Sequence, residues 1–113
     1  MFEIIDLTFL NSFTGGNAEK NSKYIKMFLV NAPSLMNSIE ENLKKEDWAS
    51  LKSSAHSLKP QISYMGIKSA EELIKTIERD ASEKINLENI SDKVSSLRNI
   101  LEKAFPELQK ASQ

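Results

Sequence analysis

Apolar residues recur along this chain at intervals of three and four, the spacing that keeps side chains on one face of an α-helix. Ile25, Phe28, Leu29, Ala32, Leu35, Met36, Ile39 and Leu43 make one stripe. A second, Trp48, Leu51, Ala55, Leu58, Ile62 and Met65, alternates strictly between three and four. Leu73, Ile74, Ile77 and Ala81 form a third, and Leu87, Ile90, Val94, Leu97, Leu101, Phe105 and Leu108 a fourth. No segment shows the period of two that a half-buried strand needs. The pattern predicts an all-α protein with bundle helices at about residues 18–44, 46–65, 69–83 and 87–109. A short helix at about residues 6–13, carrying Leu7, Phe9, Leu10 and Phe13, precedes them.

The breaks between stripes carry helix-ending chemistry. Thr14, Gly15, Gly16 and Asn17 interrupt the pattern after the short helix, for which Asp6 is the expected cap. Gly66 follows the second stripe, where a residue free to take positive φ closes a helix at least cost. Ser69 stands three residues before Glu72, the spacing of a capping box, and residues 86–89 offer a turn or cap before the last helix. Connections this short make consecutive helices antiparallel, giving an up-down-up-down four-helix bundle with a short N-terminal cover helix. Pro33 is expected to kink the first long helix near Asn31, Pro106 to bend or fray the last turns, and residues from Gln109 onward to fray.

Composition narrows the class of function. At 113 residues the chain fits one domain, residues 1–113, with one core. Fifteen Lys and Arg against sixteen Asp and Glu leave a net charge of −1, so no global field draws it to nucleic acid or an anionic membrane. Cysteine is absent, which removes disulfides and thiolate chemistry and fits life in the cytoplasm. No apolar run approaches a membrane span and the N-terminus lacks the basic start of a signal peptide. The initial methionine favours a free-standing protein over an excised domain.

One histidine, His56, remains as the candidate for chemistry. On a helical wheel Lys52, His56, Lys59 and Ser63 make a line at spacings of four, three and four, displaced by about 90° from the apolar stripe. That line is the border of the core. A lone histidine there is more often a surface or packing residue than a reactive group, and lysines at one-turn spacing are common solvated charges.

The joint pattern says more than the position. The stretch AHSLKPQISYMG at residues 55–66 places a small residue before His56, Leu58 and Lys59 after it, and Gly66 ten residues on. It resembles the signature of histidine-containing phosphotransfer (HPt) domains of bacterial and fungal phosphorelays: small residue, His, any residue, Leu, Lys, usually Gly, five variable residues, Gly. The resemblance extends to the four-helix architecture with its short leading helix. It implies that Nε2 of His56 is the phosphoacceptor, that Lys59 offsets the charge of the phosphoryl oxygens, and that small Ser63 keeps the face low for a partner and offers a hydroxyl. The family commonly places Gln or Glu 22 residues after the histidine to accept the Nδ1 proton; here that position holds Glu78. Glu78 is either this orienting group or a plain solvent-exposed glutamate beside Arg79 and Asp80. Pro60 departs from the pattern, standing where glycine is usual, without a backbone donor for the carbonyl of His56.

The resemblance further implies a phosphocarrier with no kinase or ATPase activity and no cofactor of its own, Mg²⁺ being supplied by the partner. Its partners would be response-regulator receiver domains and, upstream, a hybrid sensor kinase, met by a monomer through a docking face that includes Lys52, Pro60, Ser63 and Gly66. Phe9, Leu10, Phe13 and Met27 are further candidates for that face, each with core packing as the alternative. Two other readings stay open: a helical interaction module that never carries phosphate, and a small enzyme using His56 and Glu78 as an acid-base pair.

Overall fold

A computed structural model describes residues 2–113. Five helices are present among them: α1 Thr8–Thr14, α2 Ala18–Lys45, α3 Trp48–Tyr64, α4 Lys68–Glu83 and α5 Leu87–Ala111. Polar links fix their directions. Ser22 Oγ near the start of α2 donates to the Ser112 carbonyl at 2.9 Å, while Arg98 within α5 reaches Glu40 and Asn37 further along α2. These two helices are therefore antiparallel. With connections of two or three residues between neighbours, α2 to α5 close into an up-down-up-down bundle.

The four stripes meet in one core. Ile25, Phe28, Ala32, Met36 and Ile39 from α2 are buried against Leu51, Ala55, Leu58 and Ile62 from α3, Ile74 and Ile77 from α4, and Val94, Leu97 and Leu101 from α5. Leu29, Leu35, Leu43, Trp48, Leu73 and Phe105 pack on its margin. The bundle measures 42 × 21 × 19 Å, its long axis matching the roughly 42 Å rise of the 28-residue α2. Helices α3 and α4 have only 17 and 16 residues, so α2 and α5 project past the α3–α4 turn. The N-terminal segment and α1 cover that end.

The α3–α4 turn is a Schellman motif. Gly66, at φ 63°, donates to the Ser63 carbonyl and Ile67 to that of Ile62, while both Ile62 and Ile67 are buried. So tight a turn starts α4 at Lys68 with Ile67 in the N-cap position and no side-chain cap bond. The capping box expected from Ser69 and Glu72 is not formed, because Ser69 already lies inside the first turn. Gly66 itself is buried: the Asp6 backbone crosses it so closely that a Cβ there would sit 1.9 Å from the Asp6 carbonyl oxygen.

Other ends differ from their sequence expectations for local reasons. Leu7 occupies the N-cap position of α1, one residue beyond Asp6, yet Asp6 Oδ1 accepts both the Thr8 N–H at 3.0 Å and the Thr8 hydroxyl at 2.6 Å. Asn17 and Asp47 cap α2 and α3 through Lys20 N–H and Ser50 N–H. Asn86 stands before α5 at φ 52° with no side-chain cap bond. Neither Pro33 nor Pro106 divides its helix. Helix α5 runs past Gln109 to Ala111 instead of fraying there, its end tied to α2 by the Ser22 bond.

Asp80 is the one charged side chain fully buried among the described residues. Its carboxylate takes an ion pair from Lys93 on α5 and a longer contact of 3.5 Å from Arg79. Burial pushes this carboxyl up, but the Lys93 hydrogen bond and charge, helped by Asn86 and Arg79, hold it below its ordinary value.

Candidate functional site

Ile67 is the midpoint of the α3–α4 hairpin, so residues equidistant from it face each other across the two antiparallel helices. His56 and Glu78, 22 positions apart, are such a pair. His56 Nδ1 lies 2.7 Å from Glu78 Oε2, and Lys59 Nζ lies 2.7 Å from Glu78 Oε1. One carboxylate thus engages both neighbours, one with each oxygen. An ionised carboxylate only accepts, so the imidazole donates from Nδ1 and leaves the lone pair on Nε2.

Exposure separates the three. The His56 side chain is 68% exposed while that of Glu78 is only 16% exposed. Glu78 therefore acts as a half-sunk anchor and the ring stands out in solvent. Burial pushes the Glu78 carboxyl up, but the hydrogen bonds from Lys59 and His56, with their charges, outweigh it and hold the group below its ordinary value. Glu78 is thus not a plain solvent-exposed glutamate, since His56 and Lys59 engage its two oxygens. The plain exposed position beside it belongs to Arg79, and Asp80 faces inward.

The remaining sequence candidates scatter. Lys52 is exposed one turn before His56 on the same face, with no ion pair among the described residues. Lys59 is engaged by Glu78 in this state rather than standing free over the ring. Ser63 is exposed seven residues further along the helix, roughly 10 Å of rise from His56, and has no bond to it. Gly66 does not belong to the exposed face at all, since Asp6 covers it. Pro60 is exposed within an unbroken α3, and the nearby Gln61 amide donates to the Ser57 carbonyl at 3.2 Å.

The family model for the Hpt domain matches residues 23–110. The chain belongs to the Hpt domain family. Domains of this family are phosphocarriers of phosphorelays and interact with receiver domains. Neither the curated proteins nor the solved structures gave a match. No helix among the described residues is long and apolar enough to cross a membrane.

Within this Hpt domain an aromatic patch lies about two turns along α3 from the histidine. Phe9 stacks on Tyr64 with centroids 5.4 Å apart, and Phe13 meets Tyr64 at 6.3 Å and Tyr24 edge-on at 5.6 Å. All four rings are partly exposed, from 37% for Tyr24 to 63% for Phe13, as is Met27, whereas Leu10 is buried and anchors α1. Leu10 therefore leaves the docking candidates and Tyr24 and Tyr64 join them. Between α1, α2 and α3 a cavity of about 380 Å³ opens beside these rings, with Gln61 and Asn31 on its wall. A signal for Tyr64 exists in the sequence: His56, Pro60 and Tyr64 follow one another at intervals of four, on one ridge of α3. The exposed proline ring stands on that ridge between the histidine and the aromatic patch.

Two expected results follow from the charges. Glu78→Gln keeps an oxygen for the Nδ1–H but loses the anion that holds Lys59, whereas Glu78→Ala loses both. In ¹⁵N NMR of the His56 ring the Nδ1–H tautomer should fall clearly in the alanine variant and persist in the glutamine variant; an unchanged ratio in both removes Glu78 from the site. Acid should also loosen the fold. Glu78, Asp80 and Glu40, the last through its Arg98 hydrogen bond, all have lowered values, so the unfolded chain binds protons more readily than the folded one. Their stabilisation is complete above the ordinary carboxylate range and is lost as pH falls through the lowered folded values, so Tm should drop by several degrees between about pH 5 and pH 3. A Tm that is flat over that interval contradicts these pairings.

Proposed function

We propose that Nε2 of His56 accepts a phosphoryl group from a receiver-domain aspartyl phosphate and passes it to the aspartate of another receiver. One observation carries the reading: Glu78 binds Nδ1 of a ring that is otherwise exposed. The Nε2 lone pair forms the bond to phosphorus as the phosphorus–oxygen bond to the donor aspartate breaks, its electron pair returning to that carboxylate. The proton stays on Nδ1. The phosphorylated ring then carries a positive charge, which the Glu78 carboxylate offsets at 2.7 Å. Lys59, at one turn's distance, turns its ammonium from Glu78 Oε1 toward the phosphoryl oxygens. In the second step the acceptor aspartate attacks phosphorus and the electron pair of the phosphorus–nitrogen bond returns to Nε2.

Catalysis of this kind is positioning and charge stabilisation, so the carrier needs only an oriented, accessible nucleophile. The receiver supplies the acidic pocket and its Mg²⁺. Docking uses the ridge of His56, Pro60 and Tyr64 with Phe9, Phe13 and Met27, and Lys52 stands at its other end. The chain acts as a monomer without hydrolysing ATP, and a hybrid sensor kinase is the proposed upstream source.

The test is to mix the protein with a panel of receivers charged on aspartate in the presence of Mg²⁺ and to look by mass spectrometry at neutral pH for an acid-labile adduct of one phosphoryl group. The adduct should map to His56. If no receiver delivers one, the carrier reading is wrong and the surface serves binding alone.

A further inference from the structure

We propose that Glu107 is a positioning residue for partner docking: its carboxylate clasps the N-terminal segment across the end of the bundle and thereby holds α1, with Phe9 and Phe13, beside the His56 face. The inference rests on the reading of that face as a receiver-docking surface.

Three consecutive backbone N–H groups point at one side chain. Those of Glu3, Ile4 and Ile5 donate to the Glu107 carboxylate at 3.2, 3.0 and 3.1 Å. The segment is neither helix nor strand, so these donors have no ladder of their own and the carboxylate supplies what a neighbouring strand would. Beyond the clasp, Ile5 is buried, the Asp6 N–H donates to the Met65 carbonyl at 3.3 Å, and Asp6 pairs with Lys68 at 3.4 Å. Only Leu7 then separates this strap from α1.

Helix α1 cannot hold itself in place. It has seven residues, too few for a stable isolated helix, and buries one side chain, Leu10. Its far end is tied to α2, where Asn21 bonds both Asn11 and Thr14. Its near end has the strap, and the strap has Glu107. The aromatic face of α1 is thus set by a side chain of α5 at the end of the bundle.

Two further facts sharpen the role. The family match begins at residue 23, so the strap and α1 lie outside it while Glu107 lies inside. The rings that extend the docking ridge therefore come from a part of the chain that the family match does not cover, fastened to a part that it does. Glu107 forms no bond with His56, Lys59 or Glu78, so its removal spares the phosphoacceptor and alters what surrounds it.

The experiment compares wild type, Glu107→Gln and Glu107→Ala with two donors. Phosphoramidate, a small donor, reports the reactivity of His56 without docking; an Mg²⁺-loaded receiver charged on aspartate reports docking as well. Charging by phosphoramidate should be equal in all three proteins. Receiver-driven transfer to Glu107→Ala should fall about tenfold at limiting receiver, through a raised apparent KM with the saturating rate unchanged, and Glu107→Gln should lie between. The ring resonances of Phe9 and Tyr64 should move in the alanine variant. Receiver transfer as fast as wild type, unmoved ring resonances, or an equal loss with both donors overturns the proposal. Should Glu107→Ala lose its helical circular dichroism, Glu107→Gln decides by the same readouts. Wild type that charges from phosphoramidate but from no receiver removes the docking reading and this proposal with it; wild type that charges from receivers while the variants match it removes this proposal alone.

Discussion

His56→Gln is expected to take up no phosphoryl group from any charged receiver, at least about 1,000-fold below wild type. Glutamine is polar, fits an exposed helix position and can still donate an N–H to Glu78. What it lacks is a nitrogen lone pair, because the amide nitrogen shares its pair with the carbonyl. The substitution therefore removes the nucleophile and leaves the surface in place. Since the His56 side chain is 68% exposed, Tm should stay close to wild type, within about 1 kcal/mol of stability. A variant that folds normally, binds receivers and gains nothing separates chemistry from docking. Uptake equal to wild type would mean that the acceptor is another residue.

Gly66→Ala should be the most destabilising conservative change in the chain, by about 2–4 kcal/mol, or a Tm lower by roughly 10–20 °C. Two costs combine. At φ 63° any Cβ meets local backbone repulsion, worth about 1 kcal/mol. The larger part comes from Asp6, whose carbonyl oxygen lies 1.9 Å from where the new Cβ would stand. Either the strap lifts or the α3–α4 turn shifts. Gly15 is the internal control: its φ is 70°, yet nothing lies within 4 Å of an added Cβ. Gly15→Ala should therefore pay only the backbone cost. Gly66→Asn gives a second separation, since asparagine tolerates this backbone region but still carries a Cβ. Thermal melts should rank Gly66→Ala and Gly66→Asn together, well below Gly15→Ala. Equal melting for the two alanine variants would show that the Asp6 crossing contributes nothing to stability.

The proline that departs from the family pattern gains a role from its neighbours. From sequence, Pro60 raised a question about the backbone near His56. In the folded chain α3 passes through it unbroken, and its exposed ring lies between His56 and Tyr64. A glycine would leave a polar gap in that ridge. The exposed ring fills it, and under the proposed docking this is the surface between the histidine and Tyr64.

The sequence by itself determined the helices and the family motif around His56, because both depend on short-range spacing. A repeat of three and four dictates which side of a helix is buried, and nearly every stripe residue is buried or packed on the core margin. The motif around His56 is likewise local, and Glu78 was legible only through the family's usual spacing of 22 residues, which the hairpin about Ile67 turns into an opposed pair. What sequence spacing did not encode was which surface the N-terminal segment crosses. Ser69 looked like a cap until the Schellman turn moved the start of α4, and Gly66 looked exposed until Asp6 lay over it. The motif points Lys59 at a phosphoryl group, whereas the fold engages it with Glu78, whose carboxylate it shares with His56. The clasp of Glu107 joins residues more than 100 positions apart. Contacts of that range have no periodicity, because they follow from where whole helices end and not from how neighbouring residues alternate. Tertiary structure alone decided what lies around His56, while local sequence had already placed His56 on an exposed helix face.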